Sequence, residues 1–308
     1  MKKTSFIVYF LALFISCNES QVEELKTQNN KQLSVIEIIT EGMEFQMPDT
    51  INSGWNVWRY KNLSTQPHFI LIDKHPDSIT VKEFKEQLLP PFGEGIAMIN
   101  EGKMEEAMKA FGNIPAWFSG TWWPGGVGLI SPGQNAETIL KLDPGYYIIE
   151  CYVKMNTGMF HTNMGMYKPL IVSDEKSNME EPTADIVVDI SSKNGIQFTP
   201  PNKSGTYTFL VNYLDQIKHE HFQGHDINLV KINDTTKIGS IEAWMNWMDP
   251  KGLIDPMPQG FTFLGGVNDM PAGEKGYFTA TLQPGEYALI SEVPNASSKG
   301  MLKRFEVR

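Results

Sequence analysis

The stretch "CYVKMNTGMFHTNMGM", from Cys151 to Met166, places one cysteine, one histidine and four methionines within sixteen residues. Thiolate, imidazole and thioether are soft donors, and in combination they suit copper above other metals. Two readings of the stretch stay open on residue types alone. It is a ligand loop, or it is an irregular apolar loop whose methionines fill gaps in a core.

Chemistry of the first kind needs a frame that fixes the donors. Immediately before the loop, "YYIIECYV" is a run of aromatic and β-branched residues entered through Pro144-Gly145, which reads as a strand carrying Cys151. That strand belongs to an internal repeat at a spacing of 140 residues. Gly125-Gly126-Val127 recurs as Gly265-Gly266-Val267, and Gly133 as Gly273. The run from Leu142 to Tyr147 recurs from Leu282 to Tyr287. After a loop five residues shorter, Gly165-Met166 recurs as Gly300-Met301 and Val172 as Val307. So many positions in one register mean two copies of one domain, at 34–173 and 185–308, with 174–184 as linker.

Short strands with frequent Gly and Pro punctuation predict an antiparallel β-sandwich in each copy. Helix is confined to insertions. Thr80 to Glu83 has capping-box spacing and leads into "FKEQLL", with a stop at Pro90-Pro91. Met104, Ala107, Met108 and Phe111 recur at helical spacing, and "SIEAWMNWM" places Trp244 and Trp247 on one helical face. Trp117, Trp122 and Trp123, ahead of the first Gly-Gly-Val, read as core packing.

Gly145-Tyr146-Tyr147-Ile148-Ile149-Glu150-Cys151 resembles the strand that delivers cysteine to copper in cupredoxins. Upstream, Asn62 to His68 resembles that family's Asn-containing turn ending in Pro-His, and His161-x4-Met166 resembles its spacing between second histidine and axial methionine. The resemblance implies an all-β fold of two tandem cupredoxin-like Greek-key β-sandwiches. It also implies one copper ion held in the first domain by His68, Cys151, His161 and Met166. Nine residues separate Cys151 from His161, more than the family's loops usually carry, so Met164 and Met159 compete with Met166 for the axial position. In the second copy Ser291 stands for Cys151 and Ala296 for His161, while Met301 and His225 persist. A hydroxyl cannot replace a thiolate there, so domain 2 carries no equivalent site.

The chain opens Met1-Lys2-Lys3, continues with an apolar run from Phe6 to Ile15 and then reads Ser16-Cys17. Residues 1–17 resemble a bacterial lipoprotein signal with its lipobox, so Cys17 is the lipid attachment and 18–33 a polar tether. The expected location is the bacterial cell envelope, periplasmic or on the outer-membrane surface, with the membrane reached through the N-terminal lipid only. Cys151 is then the one remaining thiol, and no intramolecular disulfide can form. A net charge of −10 and a pI near 5.2 argue against nucleic acid as a partner.

"HEHFQGHD" offers His219, His221 and His225, but six histidines in all are too few for a trinuclear copper cluster. Scattered carboxylates and the lack of a phosphate loop or nucleophile elbow lead to the expectation that the chain is not an enzyme. Two functions remain. One is binding a single copper ion for electron transfer or copper handling, with a redox or copper-exchange protein as partner. The alternative is a metal-free cupredoxin-like module that binds an envelope protein or a glycan.

Overall fold

A computed structural model of the chain describes residues 34–220 and 224–308. The signal, Cys17, the tether and His221 lie outside the described residues. In the first copy, strands β1 (Val35–Thr40), β2 (Thr50–Asn62) and β4 (Asn135–Leu142) form one layer, and β3 (Leu71–Asp73), β5 (Gly145–Glu150) and β6 (Tyr167–Lys176) form the other. β1 runs parallel to β2, and β2 antiparallel to β4. β2 serves both layers: Thr50 to Asn52 pair with β6, and from Gly54, at φ 88°, the strand turns onto β4. Alternation puts Ile36, Ile38, Trp58 and Tyr60 inside, facing Ile70, Ile72, Tyr147 and Ile149 of the second layer.

The second copy repeats the plan. β7 (Ile186–Ser191) lies parallel to β9 (Gly205–Tyr213), flanked by β8 (Gly195–Phe198) and β12 (Lys275–Leu282). β10 (Ile227–Ile232), β11 (Phe261–Val267), β13 (Gly285–Ile290) and β14 (Leu302–Val307) make its other layer. The two tandem sandwiches expected from the sequence are therefore present.

How the copies meet follows from the repeat itself. β4 pairs antiparallel with β12, and Thr138 lies opposite Phe278, its own counterpart 140 residues on. Val127 bridges Val267, and the Tyr152 hydroxyl donates to Glu292 Oε2 at 2.9 Å, again between counterparts. A residue that touches its own counterpart lies on the rotation axis, so the copies pack about a local two-fold as two subunits of a dimer do. The repeated glycines have a reason within each copy. A Cβ at Gly126 would sit 1.8 Å from the Ile70 carbonyl oxygen, and one at Gly266 would sit 1.9 Å from that of Ile227.

The helical insertions depart from expectation in three places. Thr80 and Glu83 form the capping box, but the helix does not stop at Pro90-Pro91. Phe84–Leu88 winds as a wider turn, with the Leu89 N–H donating to the Phe84 carbonyl, and α1 (Leu89–Asn100) restarts with both prolines in its first turn. Proline is tolerated there because a first-turn N–H has no partner within its own helix. On α2 (Met104–Phe111) the buried positions are Ala107 and Ala110, while Met104 and Met108 are exposed. α3 (Ile238–Trp244) ends before Trp247, so the two tryptophans share no helical face. Trp244 packs on Phe263, and Trp247 on Phe160 and Phe111. β6 runs to Lys176 and so takes up the first residues of the stretch read as linker. Among the described residues, no helix is long and apolar enough to cross a membrane.

Candidate metal centre

Two local devices bring the donors together. Asn62, at the end of β2, closes the turn that follows: its Nδ2 donates to the carbonyls of Gln66 (2.8 Å) and Ile130 (3.1 Å), and its Oδ1 accepts from the Ser64 N–H (3.0 Å). His68 leaves that turn held to Ile130 in both directions, at 3.1 and 2.8 Å. β5, the middle strand of its layer, delivers Cys151 one residue past its end. The result is a buried group: Cys151 Sγ lies 3.8 Å from His68 Nδ1 and 3.7 Å from His161 Nδ1, with all three residues fully enclosed.

These distances fit a shared metal. Bonds of about 2.3 Å to sulfur and 2.0 Å to nitrogen, opened to roughly 110–120°, set sulfur and nitrogen about 3.5–3.7 Å apart. One donor atom from each of the three residues lies within 4.8 Å of the others, so the group could hold a metal ion. Two imidazoles and a thiolate are a donor set that suits copper. The second ring nitrogens, Nε2 of both histidines, are buried without hydrogen-bond partners. Burial, reinforced by His161, pushes His68 down to about 3, and burial pushes His161 down to about 4. Burial pushes the Cys151 thiol up to about 12, opposed by the backbone N–H groups of Phe69 and Val153 that point at its sulfur. A neutral thiol beside two neutral imidazoles is the resulting state.

The long loop between Cys151 and His161 is no obstacle. It folds as a hairpin, with Lys154 bridging Phe160 and the Met155 N–H donating to the Met159 carbonyl. The His161 N–H then donates to the Val153 carbonyl at 2.8 Å, so His161 returns to within two residues of Cys151. The second copy holds the hairpin down. The Lys154 N–H donates to Leu253, its carbonyl accepts from Asp255, and its fully buried ammonium donates to the carbonyls of Trp247 (3.1 Å) and Asp249 (2.6 Å). A lysine amid apolar loop residues was the one sequence signal of this clamp, and its partners nearly a hundred residues away carried none.

The three methionines that compete for the axial position have different surroundings. Met164 is 57% exposed, and Met159 packs in a separate cluster with Ile96, Ile99 and Phe160. Met166 is buried in the same core cluster as Cys151; its N–H donates to the His161 carbonyl and its own carbonyl accepts from the Cys151 N–H. The second copy keeps this backbone frame: the Met301 N–H donates to Ala296, and the Ser291 N–H to Met301. There the interior is filled by a carboxylate. Asp226 Oδ1 accepts from the Ser291 hydroxyl (3.0 Å) and the Glu292 N–H (2.7 Å), and Oδ2 accepts from Asn228 (2.6 Å). His225 is buried, lies parallel to the Tyr213 ring and meets His219 edge-on; the described residues around it form no second metal-competent group.

No family model matches the chain, and no curated protein matches it. Among solved structures it is similar to a dithionite-reduced auracyanin from Roseiflexus castenholzii, at 21% identity over 46% of this chain and 97% of that one, with a TM-score of 0.27. It is also similar to a copper-containing nitrite reductase from Thermus scotoductus, at 12% identity over 89% of this chain and 61% of that one (TM-score 0.22). A blue copper oxidase from Nitrosomonas europaea matches at 14% identity over 89% and 85% (TM-score 0.21). Enzymes thus stand among the proteins it resembles, and the expectation that the chain is not an enzyme is corrected accordingly. The layers of each half, the turn that presents His68 and the strand that presents Cys151 are those of a cupredoxin-like fold, which the chain carries twice.

Proposed function

We propose that the chain is an envelope lipoprotein, anchored through Cys17, that holds one copper ion with His68, Cys151, His161 and Met166 and passes single electrons. The observation that carries this reading is the convergence of three fully buried donors, from segments 83 residues apart, at spacings a shared metal would bridge. When bound, copper supplies a one-electron couple. The chain contributes a frame closed on all sides, held by the Asn62 turn, the hairpin and the Lys154 clamp, so the donors stay in place in either redox state.

Enclosure also favours electron transfer over copper handling, because handing over an ion requires an opening through which ligands exchange. The test is reconstitution of the purified protein with Cu(II). One equivalent bound, with an intense visible charge-transfer band that Cys151→Ser abolishes, supports the reading. Retention of Cu(I) alone, lost on replacing the loop methionines, would shift it to copper handling, and no retained copper would leave the metal-free module.

A further inference from the structure

Beside the metal centre, walled by both copies, lies a cavity of about 970 Å³. Cavities of this size with an apolar lining and a few polar groups are the usual form of small-molecule sites. Phe92, Phe111, Phe118, Trp123, Phe160 and Trp247 make an aromatic wall, and Trp122, read from sequence as core, is 41% exposed at its margin. Three carboxyl groups interrupt the wall: Glu150, Asp269 and Glu292.

The polar groups are matched unevenly. Glu292 accepts from the Tyr152 hydroxyl and the Trp247 N–H, and its charge also acts on the Lys154 ammonium. Asp269 takes part in no ion pair among the described residues, and Lys218, the one described cation of the lining, is exposed and forms none with it. Burial, with Asp226 nearby and against the opposing pull of Lys218, pushes Asp269 up to about 8. An acid set against an aromatic wall is poorly accommodated until a positive charge joins it. Aromatic faces attract the same kind of charge.

We propose that this cavity binds an organic cation with an apolar body, an alkyl- or arylammonium compound, whose ammonium group meets Asp269 and Glu292 while its body lies on the aromatic wall. A neutral ligand of the same shape would leave Asp269 without a counter-charge, and an anion would gain nothing from it. The site goes beyond the copper reading and does not depend on it, although Tyr152 links the two as the neighbour of Cys151 and the hydrogen-bond partner of Glu292.

The experiment is calorimetric titration of the full chain with 2-phenylethylamine, cationic at neutral pH, and with 2-phenylethanol and 3-phenylpropionate as neutral and anionic counterparts. The amine is expected to bind at least about tenfold more tightly than the alcohol, with the acid weakest. Asp269→Asn is expected to remove most of the amine's advantage and leave the alcohol unchanged. Cys151→Ser is expected to keep the amine's affinity, so failure of the copper reading and failure of this one are separable. Equal binding of amine and alcohol by the unmodified chain, or no amine binding up to about 1 mM, would overturn the proposal, as would an Asp269→Asn protein that binds the amine normally.

Discussion

Replacing Lys154 with methionine tests whether the second copy positions the metal loop. The change keeps the length and apolar stem of the side chain and removes its charged head, which donates to two carbonyls in the 247–249 turn. Each charge-assisted bond contributes about 1.5–3 kcal/mol, and each buried carbonyl left unmatched costs about 1–3 kcal/mol. Removing the ammonium also removes its own desolvation, which is large enough that burial lowers the lysine to about 8 against the opposing pull of Asp249 and Glu292. These opposing effects leave a net loss of about 2–4 kcal/mol, or roughly 3–7 °C in melting temperature for a chain of this size.

The effect on the metal should be of the same order as that on the fold. The backbone bonds of Lys154 to Leu253 and Asp255 persist, and so does the bond from His161 to Val153, so the hairpin survives but loses its anchor. Loss of a group that orients a ligand from outside the ligand set typically lowers metal affinity 10–100-fold. Copper affinity by chelator competition, read beside thermal melts of the metal-free protein, separates the two effects. Affinity within twofold of the unmodified chain, with an unchanged melt, would show that the clamp does not position the loop.

Three further outcomes follow from the same geometry. With the thiol near 12 and the imidazoles near 3 and 4, the metal-free site holds one displaceable proton between about pH 5 and 9. Copper loading should release about one proton, and apparent affinity should rise about tenfold per pH unit; calorimetry in buffers of differing ionisation heat that finds two or three protons at pH 6 would contradict this. Asp269, raised in the folded state, binds its proton more tightly folded than unfolded, so its contribution to stability is complete below about pH 4 and lost as pH rises through about 8. Asp269→Asn should therefore flatten the decline in melting temperature across that window, and an unchanged pH profile would count against it. Gly126→Ala should destabilise by about 3 kcal/mol or more in urea titration, since its Cβ meets the Ile70 carbonyl, whereas Gly42→Ala, with nothing within 4 Å, should be close to neutral.

Legibility from sequence tracked how local each signal is. The turn from Asn62 to His68 and the strand ending at Cys151 are organised by neighbouring residues, and the structure brings His68, Cys151 and His161 together as that pattern implied. The repeat was legible because Gly126 and Gly266 admit no side chain. What escaped is made by distant contacts. Nine residues between Cys151 and His161 looked too many until the hairpin shortened the path, and its clamp comes from residues 247–255. Pro90-Pro91 read as a stop because a widened turn has no sequence marker that one chain reveals. Trp117 packs on a core cluster as read, but Trp122 and Trp123 line the cavity, because aromatic composition does not distinguish a filled interior from the wall of a cavity.

The second copy shows what the first needs and what it can do without. Both copies keep the frame in which the residue at 151 or 291 donates its N–H to the carbonyl of the methionine at 166 or 301, whose own N–H donates to residue 161 or 296, so that frame serves the fold. In the second copy Asp226 fills the interior with hydrogen bonds to Ser291, Glu292 and Asn228, which shows that a sandwich of this kind closes without thiol or imidazole at its centre. The donor set of the first copy is therefore not explained by packing. Freed from that task, the second copy supplies what the first lacks: the segment that fastens the long hairpin and the acid that meets Tyr152 on the two-fold axis. A single sandwich with this hairpin would leave Lys154 without the carbonyls it bonds, and His161 would hang from an unanchored loop. The pairing of the copies through β4 and β12 thus bears on the metal centre as directly as the ligands do, because it determines whether the second imidazole is held beside the thiol.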